Sequence, residues 1–198
     1  MIIGLTGGIA SGKSTVSNIL RKQDVYIIDA DKLVHQILQK GNRGYKKVVD
    51  QFGEKILNSQ NQIDRNKLGQ IVFSDKKKLK KLENITHPLV ISIIKDKIES
   101  KQDDYEHIVV DAPLLYESGL DKLTDQDWVV YADYDVQLKR LMERDDLSRE
   151  EAKNRIEKQL SLEKKRELAD VVINNNDSIA DLKEKVLHKW KKLIVEKV

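Results

Sequence analysis

The stretch GLTGGIASGKST, residues 4–15, leaves the chain little choice of architecture. It fits the pattern G-x-x-x-x-G-K-[ST] at Gly7, Gly12, Lys13 and Ser14, and it grows out of the apolar run MIIGLT. Gly7 and Gly12 are expected to take positive φ and to let the backbone approach an anion without an intervening Cβ. The successive N–H groups of the loop, and the N-terminus of the helix after it, then face phosphate oxygens. Lys13 sets a compact positive charge against the β- and γ-phosphates, and the Ser14 hydroxyl can ligate Mg²⁺. At average residue frequencies the pattern alone would arise by chance in roughly 1% of chains of this length, so its context decides. An apolar strand precedes it, and the amphipathic KSTVSNILRK follows with Val16, Ile19 and Leu20 on one face. The stretch therefore predicts a strand–loop–helix unit that binds a nucleoside triphosphate with Mg²⁺.

The other strand signals fit that unit. DVYIID (24–29), HIVVDAP (107–113), DWVVYAD (127–133) and DVVIN (170–174) are near-continuous apolar runs, as in strands buried on both faces of a parallel sheet. Their alternation with helical patterns argues for an α/β fold, a five-stranded, mainly parallel sheet flanked by helices with right-handed crossovers. Residues 32–104 break the alternation with a series of helical patterns: DKLVHQILQK, YKKVVDQFG, DRNKLGQIVF, KKLKKLEN and HPLVISIIKDKIES. The proline of the last one is read as marking a helix start. The expected organisation is a nucleotide-binding core of 1–31 and 105–198, an inserted helical domain of 32–104, and a highly charged lid of 140–168 within the core. A C-terminal helix over 177–196 carries a packing stripe of Ile179, Leu182, Val186, Trp190 and Leu193.

Composition narrows the partners. Lys and Arg number 36 against 33 Asp and Glu, interspersed, for a net charge of +3. That suits an anionic small substrate and does not point to nucleic acid. The chain has no cysteine, which excludes disulfides, thiolate metal sites and cysteine nucleophiles. No apolar run is long enough for a membrane span and no signal segment is evident, so the expectation is a cytoplasmic protein that does not engage membranes. His107 and His188 are expected at the surface, and Trp128 in the packing.

Triphosphate binding is not yet a reaction. A GTPase would carry a guanine-reading N-K-x-D late in the chain, and the nearest match, NKLG at 66–69, ends in glycine. The second strand instead ends in DAD, with Asp29 and Asp31 at the carboxyl end, where open α/β sheets hold ligands. A carboxylate there can accept a proton from a hydroxyl attacking the γ-phosphate. Asp31 can also serve as a helix cap.

Taken in order, GLTGGIASGKST, IIDADKLVHQIL, ENITHPLV, VVDAPLLYESGL, QLKRLMERDDLSREEAKNRI and ADVVINNN resemble the dephospho-CoA kinases over essentially the whole chain. The resemblance implies a P-loop NTPase fold close to nucleoside monophosphate kinases, with an inserted helical substrate domain and a mobile lid. It also implies transfer of the γ-phosphoryl of ATP to the ribose 3′-hydroxyl of dephospho-CoA, the last step of coenzyme A synthesis. On that resemblance Gly8 and Ala10, Ser11, Gly12, Lys13, Ser14 and Thr15 hold the ATP phosphates, and Asn174 and Asn175 lie near adenine. Asp31 is the base and Asp29 orients the site or the metal. His87, Pro88, Pro113, Leu114, Leu115 and Glu117 shape the acceptor pocket, and Arg140 and Arg144 neutralise the transferring phosphoryl from the lid. Asp111 is a candidate second Mg²⁺ ligand beside Ser14. Arg155 and Gln159 are further candidate ATP contacts, and Arg65 a candidate contact to an acceptor phosphate.

The chain departs from the family at Ala10, where glycine is commoner, at Val34-His35, where a small residue or an alanine–arginine pair is usual, and at Asp111. Alanine at position 10 is expected to have little effect. Another nucleoside or nucleotide kinase, or a regulatory P-loop NTPase, remain the alternatives. Oligomeric state is not legible.

Overall fold

The computed structural model describes residues 1–195. The chain runs through β1 (Ile2–Gly7), α1 (Lys13–Leu20), β2 (Tyr26–Asp29), α2 (Ala30–Ile37), α3 (Arg43–Phe52), α4 (Arg65–Phe73) and α5 (Lys76–Lys101). It continues through β3 (Ile108–Asp111), α6 (Leu115–Ser118), β4 (Gln126–Tyr131), α7 (Tyr134–Asp145), α8 (Arg149–Ile156), α9 (Leu162–Leu168), β5 (Val171–Asn174) and α10 (Ile179–Val195). It divides into two compact units, Met1–Ile28 with the chain from Ile98 onward, and Asp29–Lys97.

The first unit is built on a sheet of order β2-β3-β1-β4-β5. β1 pairs in parallel with β3 and β4, and β4 in parallel with β5. Ile3, Leu5 and Thr6 of β1 are all fully buried, so both faces of this central strand are covered, which is why its sequence runs apolar without alternation. Val16 and Leu20 of α1 pack on one face with Leu182, Val186, Trp190 and Leu193 of α10. Trp128 meets Trp190 edge-on with ring centroids 6.4 Å apart, so it serves packing as expected. His107 does not lie at the surface. It is buried just before β3, its ring 5.1 Å from that of Trp190 and nearly perpendicular to it. The packing stripe of α10 also loses its first member, because Ile179 opens the helix and is 74% exposed. The expected helix end at residue 196 lies outside the described residues.

The second unit is helical, as its sequence pattern predicts, apart from an isolated antiparallel bridge between Leu57 and Ile63. Its core gathers Val48 and Phe52 of α3, Ile56, and Leu68 and Val72 of α4. Asp64 caps α4 by accepting from the amides of Asn66 and Lys67. The two helices expected on either side of Pro88 are one, because Pro88 lies inside the 26-residue α5. A proline there forgoes one main-chain hydrogen bond. The hydrophobic positions on both sides of it stay in helical phase, with Val90 and Ile94 buried beyond it.

Candidate active site

The loop after β1 is clamped at three points. The Ile9 amide donates to Gln159 Oε1 at 2.9 Å, and the Ile9 carbonyl accepts from Gln137 Nε2 at 2.7 Å. The Ser11 carbonyl accepts from Asn175 Nδ2 at 2.7 Å. Gly12, at φ 95°, then turns the chain into α1. A Cβ on Gly12 would collide with the Asn175 amide nitrogen, so both conformation and space demand glycine. Gly7 is required for a different reason than expected. Its φ is not positive, and a Cβ there would come 2.5 Å from Ser11 Oγ and 2.9 Å from the Val130 carbonyl of the neighbouring strand. Ala10 does take a positive φ, 59°, so alanine is not neutral there. An L-residue in that region costs about 1–2 kcal/mol that glycine would not.

No side chain caps α1. The Thr15 and Val16 amides donate to the Gly12 carbonyl, and the Lys13 and Ser14 amides ahead of them face outward from the helix start as a ready anion site. Lys13 Nζ forms an ion pair of 2.5 Å with Asp111 Oδ1, and Asp111 ends β3 in register with Leu5 of β1. Asp111 is almost fully buried, with Lys13 as its cation. A carboxylate and a hydroxyl, Asp111 and Ser14, form the hard oxygen set that suits Mg²⁺, which takes one or two protein ligands and completes its shell with phosphate and water. Among the described residues there is no cluster of three or more His, Cys, Asp or Glu side chains that could hold a metal ion.

The segment after β3 departs from expectation at one position. Pro113 and Leu114 are partly or well exposed, but Leu115 is fully buried and cannot touch a substrate as placed. Glu117 accepts from the Leu160 amide at 3.1 Å and pairs with Lys165 Nζ at 3.0 Å. Lys165 belongs to a highly charged run, yet it is fully buried and also donates to the Pro113 carbonyl at 2.6 Å. Burial pushes its ammonium below the ordinary lysine range, Glu117 opposes that shift, and the Lys13 ammonium adds to it.

Beyond β5, Asn174 is exposed, while Asn175 is buried with its amide committed to the loop. Arg140 of α7 donates to the Asn175 main-chain carbonyl at 2.8 Å. Arg144 pairs with Asp145, which also receives Arg155. Both lid-region arginines are thus engaged by protein acceptors. Gln137 and Gln159 reach the loop backbone, and only Gln159 stands out from the sequence.

In the second unit, Asp29 ends β2 and caps α2 through the Lys32 amide, and Asp31 lies in the first turn of that helix. His35 falls one turn after Asp31. It borders a cavity of about 440 Å³ with Lys40, Gln62, Arg65 and the apolar Leu38 and Ile63. Arg65 Nη1 lies 3.5 Å from His35 Nδ1, within reach to donate to it. His87 and Pro88 sit in mid-α5, away from any helix end. Burial holds His87 below its ordinary range, with Glu83 opposing and Lys80 adding to the shift.

A glycine-turned loop entering a helix, a lysine on it paired with a buried acid from the neighbouring strand, and a charged segment reaching back to the loop define a P-loop kinase of small molecules. Comparison with known proteins narrows the class. Residues 1–181 match the family model described as dephospho-CoA kinase, and the chain belongs to that family. A Carboxydothermus hydrogenoformans dephospho-CoA kinase is 52% identical over 194 residues, covering 96% of this chain and 94% of the relative. One from Arabidopsis thaliana is 46% identical, covering 98% of this chain and 83% of the relative. The solved dephospho-CoA kinase of Campylobacter jejuni superposes with a TM-score of 0.74 at 34% identity, over 100% of this chain and 98% of that one.

Proposed function

We propose that this chain carries out the reaction of its family, ATP-dependent phosphorylation of the ribose 3′-hydroxyl of dephospho-CoA to give coenzyme A and ADP, with Asp31 as base. The observation that carries the reading is the extent of the family match. It spans both the phosphate-binding unit and the helical unit, and not merely the loop that other kinases share. Gly8, Ala10, Ser11, Gly12, Lys13, Ser14 and Thr15 hold the triphosphate, and Lys13 exchanges its Asp111 partner for the β- and γ-phosphates. Mg²⁺, held by Ser14 and Asp111, would neutralise phosphate charge when bound. Asp31 accepts the proton of the attacking hydroxyl, and Arg140 and Arg144 stabilise charge on the transferring group.

The cavity beside His35, Lys40 and Arg65 supports an acceptor orientation. It begins one helical turn, about 6 Å, from Asp31, a span comparable to that between a ribose 3′-hydroxyl and the phosphates on its 5′ side. Cationic side chains there suit the acceptor's diphosphate, and Leu38 and Ile63 suit the start of its apolar arm. The setting is cytoplasmic. Among the described residues no helix is long and apolar enough to cross a membrane.

The test is ADP release from Mg-ATP with and without dephospho-CoA, with the product weighed by mass spectrometry. The expected result is an acceptor-dependent rate and a product heavier by one phosphoryl group. Asp31→Asn should keep ATP affinity and lose about 10²–10⁴-fold in kcat. Folded protein that binds ATP but shows no acceptor dependence refutes the substrate. Equal loss of ATP affinity in Asp31→Asn refutes the base.

A further inference from the structure

We infer that Lys165 is a positioning residue for the transfer: its buried ammonium ties the Pro113–Glu117 turn to α9. The inference rests on the proposed function and extends it to a residue outside the loop and the acid. Lys165 has no exposed surface, although its helix neighbours are mostly solvated charges. A buried ammonium is costly, and an apolar side chain of similar size would fill the same space at less cost. Packing alone therefore does not account for a lysine here.

What the ammonium does is specific. It donates to the Pro113 carbonyl at 2.6 Å, which also accepts from Thr6 Oγ1 of β1 at 3.2 Å. It pairs with the Glu117 carboxylate oxygen that receives the Leu160 amide. Pro113 and Glu117 bracket the turn after β3, at the carboxyl edge where such sheets hold ligands. Leu160 directly follows Gln159, whose side chain holds the Ile9 amide of the phosphate-binding loop. One ammonium thus fixes the turn expected to face the acceptor, while the chain entering its own helix grips the loop expected to hold ATP.

Removing the ammonium should loosen acceptor alignment more than ATP binding, because the loop amides and Lys13 remain. In Lys165→Met, kcat/KM for dephospho-CoA should fall about 10²-fold, the scale expected of a misplaced reactant, while the dissociation constant for Mg-ATP shifts far less. The absence of cysteine in the chain allows a sharper arm. Lys165→Cys introduces a lone thiol that can be alkylated in denaturant and refolded. 2-Bromoethylamine restores an ammonium of lysine length, whereas iodoacetamide leaves a neutral amide. The aminoethylated protein should recover most of the wild-type kcat/KM, and the amide form should not. The inference is overturned if Lys165→Met matches wild type, or if the aminoethylated protein melts like wild type yet stays as slow as the methionine variant. Failure of every uncharged form to fold, with folding restored only by the ammonium, assigns Lys165 to the fold alone and also overturns it. Wild-type ADP release without acceptor dependence would instead remove the functional reading on which the inference depends.

Discussion

Gly12 and Asn175 should behave as one unit, and a double-mutant cycle measures it. In Gly12→Ala, the φ of 95° costs an L-residue about 1–2 kcal/mol. The new Cβ also displaces the Asn175 amide from the buried Ser11 carbonyl. Orphaning such an acceptor costs about 1–3 kcal/mol, so the variant should lose roughly 2–5 kcal/mol. Asn175→Ala removes the same hydrogen bond directly and should lose about 1–3 kcal/mol. The Arg140 contact survives in it, because Arg140 binds the main-chain carbonyl of Asn175. In the double variant the hydrogen bond can be lost only once and the collision is gone. The total should stay near that of Gly12→Ala, a coupling of about 1–3 kcal/mol in favour of the double variant. Urea unfolding at constant slope reads the stability of all four proteins, and Mg-ATP titration reads the loop. Costs that add to within about 0.5 kcal/mol would show that Asn175 does not constrain position 12 and that φ alone selects the glycine.

Lys13→Ala should cost stability as well as turnover, because it strands the buried Asp111 carboxylate without its cation; the expected loss is about 3–5 kcal/mol. Adding Asp111→Asn should recover most of it, and a stability unchanged in Lys13→Ala would show that Asp111 relies on another partner. The His87 imidazole, held below its ordinary 6.5 chiefly by burial, titrates later than in the unfolded chain as pH falls. The unfolded state then binds more protons, so stability should drop as pH falls from about 6.5 through the depressed value. His87→Gln should flatten that part of the stability–pH curve, and an unchanged slope would place the loss elsewhere.

The parts of the site that read clearly from sequence are those whose chemistry is local. The phosphate-binding loop needs its glycines, lysine and hydroxyl in one contiguous stretch behind a strand, and the structure supplies strand, turn and helix where the pattern requires them. The inner strands β1, β3 and β4 read correctly because burial on both faces leaves a continuous, largely apolar run. Gly7 shows the limit of local reasoning. Glycine is needed there because a Cβ would meet both Ser11 Oγ of the loop and the Val130 carbonyl across the sheet, and the second of these is not visible in the loop sequence. His107 misleads for the same reason, since its burial depends on Trp190, far along the chain in the last helix.

The charged segment 140–168 is where sequence and structure part most. In a helix, a lysine that extends into water and one that reaches a buried carbonyl look alike, because the periodicity reports only where apolar residues recur. Lys165 differs from its neighbours in one legible respect: it falls three residues after Leu162, on the same helical face, and Leu162 is itself buried. A polar residue that continues an apolar stripe must either end the stripe or find partners inside. Pro113 and Glu117 provide those partners. They lie far earlier in the chain, in a motif that the sequence offers only as an acceptor wall. The functional segments of this chain therefore constrain one another through a contact that neither segment shows when it is read by itself.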